Sequence, residues 1–285
     1  MDTVSFKCTA CGKCCNWPPL MSLPELFHHE SLFVGCLGLR RVQRVRPGQE
    51  MAAGEQRVVL SSDDAREMNT LAGGLLYSPG GGNYDIAITS QATDYELLHR
   101  CPALLDDHRC SIHEDRKPTI CSMVPIDALY PDRLQHAVLL SRQFEDGCIV
   151  RGRKAGSDVV VEDGQVPATE YKAALNRRRR ELAHDRKAFG EPVFEMLRQD
   201  LFAHPREAER IPFDGHSTLT LIPALLVIAG VSATYRARCA QYVDAQLTLI
   251  QTKIQAALDR KYAADKPMTR EERGTPPRFS RGTAL

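Results

Sequence analysis

With 285 residues, 43% of them hydrophobic and 26% charged, the chain is long enough for a large core and has an ordinary globular balance. A formal net charge of +1 leaves no global field to draw in nucleic acid or an anionic membrane surface. The longest apolar stretch, residues 219–231, is broken by Thr220, Pro223 and Gly230 and falls short of the roughly 20 residues a membrane span needs.

In chain order the first feature is Phe6-Lys7-Cys8-Thr9-Ala10-Cys11-Gly12-Lys13-Cys14-Cys15. Met1 to Val4 lead straight into it with no basic and then apolar leader, so a cytoplasmic chain is expected. In a reducing compartment clustered thiols read as metal ligands rather than as disulfides. Ser22-Leu23-Pro24-Glu25 is a capping box, and Leu23, Leu26, Phe27 and Phe33 or Val34 predict a helix to about residue 34. Residues 42–46 and 56–60 alternate around Pro47-Gly48 and predict a hairpin. A short helix starts at Ser61 and ends at Gly73-Gly74, and residues 78–83 are a glycine-rich loop. Residues 84–89 and 134–140 are expected as strands, and residues 104–112 as a tight turn between short extended pieces. Ser111-Ile112-His113-Glu114 is a second capping box, opening one helical turn that Pro118 stops.

Past residue 165 helix dominates: 169–189, 192–203 starting at Pro192, a buried helix around 218–229, and a long one over 232–264. Tyr235, Cys239, Val243, Leu247, Ile250, Ile254 and Leu258 give the last helix an apolar face of period 3.6. Residues 265–285 are polar and rich in Pro, Gly and Arg, and are expected to be disordered. The fold class is α+β and predominantly helical. A metal-tied cysteine-cluster domain over 1–150 is followed by a helical region over 165–264.

The cysteine run carries the strongest chemistry. A Cys-x-x-Cys step lets two thiolates converge on one ion, and two steps in succession match the spacing of bacterial iron–sulfur sites. The helix capped by Ser22, with Lys7 and Lys13, favours thiolate over thiol. Unneutralised clustered thiolates repel one another, so a bound cation is expected. Downstream come Cys101-Pro102-Ala103-Leu104, Cys110-Ser111-Ile112-His113-Glu114, Cys121-Ser122-Met123-Val124-Pro125 and Cys148.

Together these segments resemble the YkgJ-type CxxCxxCC cysteine-cluster family of zinc- or iron-chelating domains. That family shows F-x-C-x-x-C-G-x-C-C, then C-P-x-L, then C-x-I-Y-E-x-R-P-x-x-C. The likeness spans about Phe6 to Cys148, half the chain. His113 replaces the usual Tyr, Arg116-Lys117-Pro118 carries one extra residue, and Ser122 replaces a common Arg. The resemblance implies metal ligation by Cys8, Cys11, Cys14, Cys15, Cys101, Cys110 and Cys121, to which Cys148 is added. Four thiolates suffice for one zinc; this excess favours a polynuclear cluster, or two sites, over one structural zinc, with an iron–sulfur cluster of the 4Fe–4S type expected and zinc as the alternative.

Other features have plainer readings. Cys36 and Cys239 are expected to pack in the core. His28, His29, His108 and His113 are candidates for ligands or outer hydrogen-bond donors, and Arg116 and Lys117 for charge balance. Gly80-Gly81-Gly82 lacks the Lys-Ser/Thr of a phosphate loop. Arg177 to Arg180 read as a solvated helix face, which makes nucleic acid an unfavoured partner. Two alternatives to a purely metal-binding role follow. One is an enzyme, since Cys14-Cys15-Asn16-Trp17 is similar to the end of the cysteine run in flagellin lysine N-methylases. The other is an adaptor with a structural metal whose 232–264 helix binds a protein partner.

Overall fold

A computed structural model describes residues 3–9, 12, 14, 18–53, 55–80, 82–93, 101–114, 116–142, 147–167, 169–202 and 205–264. The expected tail over 265–285 lies outside them.

The chain opens with β1 (Val4–Phe6), β2 (Leu20–Met21) and α1 (Leu23–His28). The predicted capping box is present: Glu25 N donates to Ser22 Oγ at 3.4 Å and Ser22 N to Glu25 Oε2 at 2.8 Å. The helix ends at His28 rather than near residue 34, and Val34 already belongs to β3 (Val34–Gln43). Periodicity misleads here because Phe33 and Val34 are buried in the loop and strand that follow rather than on the helix face, and in that strand Gly35 and Gly38 allow close packing. A Cβ on Gly35 would lie 2.1 Å from Tyr242 Oη, and one on Gly38 would lie 2.7 Å from Gln91 Oε1.

The hairpin consists of β4 (Glu50–Ala53) and β5 (Gln56–Val59), so the expected second strand is right and its partner is not. Residues 42 and 43 instead complete β3. Ser61 caps α2 (Ser62–Leu75) through a box with Asp64, and the helix continues through Gly73-Gly74. The expected strand at 84–89 extends as β6 (Tyr84–Thr93), antiparallel to β3 along its whole length.

Residues 111–114 form turns rather than a capped helix, and Pro118 precedes α3 (Thr119–Ser122) instead of stopping a helix. The strand expected at 134–140 is helix α4 (Gln135–Ser141). Its run Ala137–Leu140 is buried, and a fully buried apolar run does not distinguish strand from helix. Gln135, 0% exposed, fastens its start, donating to Asp127 O at 2.7 Å and Tyr130 O at 2.8 Å. Then follow β7 (Ile149–Arg151) and β8 (Asp158–Val161), which flank β1 in a three-stranded antiparallel sheet.

The helical region comprises α5 (Glu170–Asp185), a π-helical turn at Arg186–Gly190, α6 (Glu191–Leu197), a second π turn at Arg198–Phe202 and α7 (Pro205–Arg210). Strand β9 (Ser217–Thr220) takes the start of the helix expected at 218–229, which is α8 (Ile222–Val231). Only one side of α8 is buried, and Leu226 is 70% exposed. The last helix, α9 (Ala233–Ala264), follows the expected span.

Strand β9 joins the edge of β3, giving a four-stranded sheet of order β2-β6-β3-β9. Its apolar face, with Leu37, Leu39 and Ile86, packs on Phe189, Leu225 and Tyr242, so the two halves of the chain share one core. Cys36 lies on β3 and is buried, and Cys239 is buried on α9, both as expected. The arginine run is a solvated face only in part: Arg177 and Arg180 are exposed, but the two arginines between them turn inward. Arg178 is 2% exposed, and Arg179 donates to Ala128 O and Tyr130 O at 3.0 and 2.7 Å. The fold class is α+β, and no described helix is long and apolar enough to cross a membrane.

Candidate metal centre

Strand pairing brings the first and last of the expected ligands together. Phe6 is registered with Ile149, and Lys7 N donates to Cys148 O at 2.8 Å. Cys8 and Cys148 therefore leave the same end of the three-stranded sheet, one exposed and one buried. Tyr171, from the first turn of α5, closes this end with its ring edge-on to Phe6 at 6.4 Å. Burial, Asp158 and the nearby Cys8 push its phenol up to about 12.

A second pair is joined by the predicted tight turn. Leu104 bridges to Cys110, Ser111 N donates to Ala103 O at 2.8 Å, and Leu105 N donates to Arg109 O at 2.9 Å. Cys101 and Cys110 thereby stand at the base of one loop whose tip residue, His108, has φ +64°. The cysteine run meets that tip. Gly12, at φ +74°, lies so close under His108 that a Cβ would fall 2.9 Å from His108 Nδ1. Glycine there permits both the left-handed turn and the close approach.

Helix α1 pins the third segment. His29 Nε2 donates to Arg116 O at 3.1 Å, Arg116 Nη1 donates to His28 Nδ1 at 3.0 Å, and Thr119 N donates to Glu25 Oε1 at 2.7 Å. The same Glu25 that caps α1 thus also caps α3, the turn that carries Cys121. Thr119 Oγ1 donates to Glu181 Oε1 at 2.9 Å, and Arg178 Nη1 sits 3.8 Å from Glu25 Oε2. His28 and His29 act here as hydrogen-bond partners of Arg116. Lys117, unlike Arg116, lines the cavity between the three segments.

That cavity, about 920 Å³ in volume, is lined by Cys8, Cys14, Cys101, Cys110, Cys121 and Cys148. These are all of the expected ligands among the described residues; Cys11 and Cys15 lie outside them. Cys36 and Cys239, expected in the core, are not on its wall. His108, His113 and Glu114 are. The thiols surround the space rather than meeting at a point. Among the described residues, no group of three His, Cys, Asp or Glu side chains is arranged to hold a metal ion. The donors suit zinc or iron in kind and number.

Electrostatics couples the same thiols. Cys121 is pushed up to about 12, first by burial and then by Cys101, with Cys110 and Glu25 adding to it and Lys117 opposing. Each neighbouring thiolate makes the next harder to form, and a bound cation would reverse that order.

Sequence reasoning missed Glu170 and Tyr171 on the cavity wall and the buried Arg178 behind Cys121. Tyr171 read as part of an apolar helix face, and nothing in its spacing ties it to residue 8. The adjacency of Phe6 to the first cysteine was the available signal for an aromatic end to the site. No protein-family model, no curated protein and no solved structure matches the chain.

Proposed function

We propose that this chain is a metal-binding protein of the cysteine-cluster type it resembles. Cys8, Cys11, Cys14, Cys15, Cys101, Cys110, Cys121 and Cys148 hold an iron–sulfur cluster of the 4Fe–4S type, or alternatively zinc. The observation that carries the reading is the segregation of thiols: six expected ligands line one cavity, and the two cysteines assigned to the core are absent from it. Metal would draw the thiols inward and tie residues 8–15 to residues 101–148, adding its binding free energy to that of folding. Thiol ligation of this kind suits a reducing compartment, the cytoplasm.

Protein purified without oxygen and with adequate iron supply is expected to be brown, and to carry iron with acid-labile sulfide. Colourless protein with stoichiometric zinc decides for zinc; protein with neither metal overturns the reading.

A second reading is favoured by the size of the cavity. At about 920 Å³ it lies within the roughly 300–1,000 Å³ range of pockets that enclose a small molecule. This suits a metal-dependent enzyme such as the flagellin lysine N-methylases that the cysteine run resembles. Under that reading a Cys→Ser change abolishes turnover while the protein stays folded; under simple metal storage there is no turnover to lose.

A further inference from the structure

α9 is 32 residues long, and most residues of its second half are exposed. The last firm anchor is Gln246. Its Nε2 donates to Glu30 O at 2.8 Å and Phe33 O at 3.0 Å, and its Oε1 accepts from Gly35 N at 2.9 Å. Beyond it about 18 residues continue for about 27 Å at the 1.5 Å helical rise. Leu247, Ile254 and Leu258 are there 54%, 52% and 41% exposed. With the half-buried Val243 and Ile250 they recur every three or four residues and form one stripe. A helix of this length is marginal in water when no face of it packs.

We infer that a second copy of this chain covers the stripe, the two α9 segments pairing antiparallel about a twofold axis between residues 252 and 253. In that register Leu247 of one copy faces Leu258 of the other, and Ile254 falls beside Gln251 and Ile250. The charges select the direction. Lys261 continues the stripe at one end, and the exposed Asp244 flanks it at the other. Parallel pairing sets Lys261 against Lys261; antiparallel pairing sets Asp244 against Lys261, twice, because a twofold interface is self-complementary. The inference stands independently of the metal reading.

Sedimentation velocity of the full chain is expected to show a dimer. Ile254→Glu with Leu258→Glu should make it monomeric with bound metal unchanged. Asp244→Lys or Lys261→Glu alone should weaken dimerisation on the order of tenfold, since each reversal acts at both ends. The double variant Asp244→Lys/Lys261→Glu should restore it. A monomeric wild type overturns the inference. So does a dimer that the stripe variants leave intact, or failure of the double variant to restore pairing. Adsorption of a monomeric wild type to anionic lipid vesicles would point to a membrane-surface helix instead.

Discussion

On β3, Cys36 is held in a continuous antiparallel ladder, its thiol donates to Gln91 O at 3.4 Å, and burial pushes it up to about 11. On the short helical turn α3, Cys121 is pushed to about 12, but there Cys101 and Cys110 contribute together with burial. The two values are close and their causes differ. A neutral thiol satisfies the first site completely. The second gathers several thiols that can ionise together only around a cation. The backbone differs in the same sense: the sheet has ten residues paired on each of its long strands, whereas turns and the ends of short strands carry the cavity cysteines. If metal binds as proposed, the sheet should persist without it while the cavity should not.

The largest effect should therefore fall on metal retention. Changing Cys8, Cys14, Cys101, Cys110, Cys121 or Cys148 to Ser is expected to remove most of the bound metal, and Cys36→Ser or Cys239→Ser none of it. Metal analysis of the eight proteins checks this, and uniform loss would erase the distinction between the two kinds of thiol. Chelation should act in the same pattern. The ligands lie in segments roughly 85 residues apart, so removing metal releases a long loop. Residues 101–118 should become the first sites of proteolysis, while amides of β3 and β6 keep their protection from hydrogen exchange. Equal deprotection of both regions would show that the cavity and the sheet open as one.

Next in size is the buried charge that joins them. Arg178, 2% exposed, stands among Glu25, Glu181 and Asp185, with Cys121 close enough to add to its stabilisation. Arg178→Met should cost about 3–5 kcal/mol, because it leaves carboxylates buried without their cation. Glu181 gives the sign with pH. Burial and the neighbouring Glu25 raise its pKa, outweighing Thr119 and Arg178. Its contribution is then full below the ordinary carboxylate range and is lost as pH rises through the raised value. Glu181→Gln keeps an oxygen for Thr119 Oγ1 and should flatten that decline, most visibly in denaturation midpoints at neutral pH. A wild-type profile without the decline would mean that Glu181 ionises in the fold as readily as in water.

On the core side, Gly190→Ala tests packing alone. The added Cβ would lie 1.8 Å from Tyr77 Oη and 2.9 Å from its Cζ. Tyr77 is stacked on Phe194 at 5.1 Å and has little room to retreat. A loss of about 1–3 kcal/mol is expected, with metal content unchanged. Loss of metal in this variant would show that the π turn at Arg186–Gly190 supports the cavity as well as the core.

Local chemistry accounts for what was legible in the sequence. The capping box at Ser22, the start of α2 and the length of α9 follow from side chains within four residues of one another. The resemblance to the cysteine-cluster family likewise pointed to six cysteines that line the cavity. The misreadings arise where distant residues decide. Phe33 and Val34 look like the end of a helix face until the antiparallel ladder with β6 takes Val34 into β3. Ala137–Leu140 suits a strand until Gln135 ties the chain back to Asp127 and Tyr130. Arg178 reads as a surface charge until Glu25, more than 150 positions earlier, sits 3.8 Å away.

The smallest effect gives the finest comparison, because the two capping boxes are chemically alike. Ser61 and Asp64 exchange hydrogen bonds of 3.1 and 2.9 Å at the start of α2, and Ser22 and Glu25 do the same at α1. Replacing either serine by Ala should cost about 1 kcal/mol of stability, the usual loss for a cap. Their consequences for the site should differ. Asp64 also pairs with Arg133, and neither is on the cavity wall. Glu25 also holds Thr119 N at the start of the turn that carries Cys121. Ser22→Ala leaves Glu25 less firmly placed, so α3 is steadied less well and Cys121 wanders. Metal should then exchange faster with a competing chelator in Ser22→Ala than in Ser61→Ala, at matched loss of stability. Equal exchange rates would mean that Thr119 is positioned well enough by Glu181 alone.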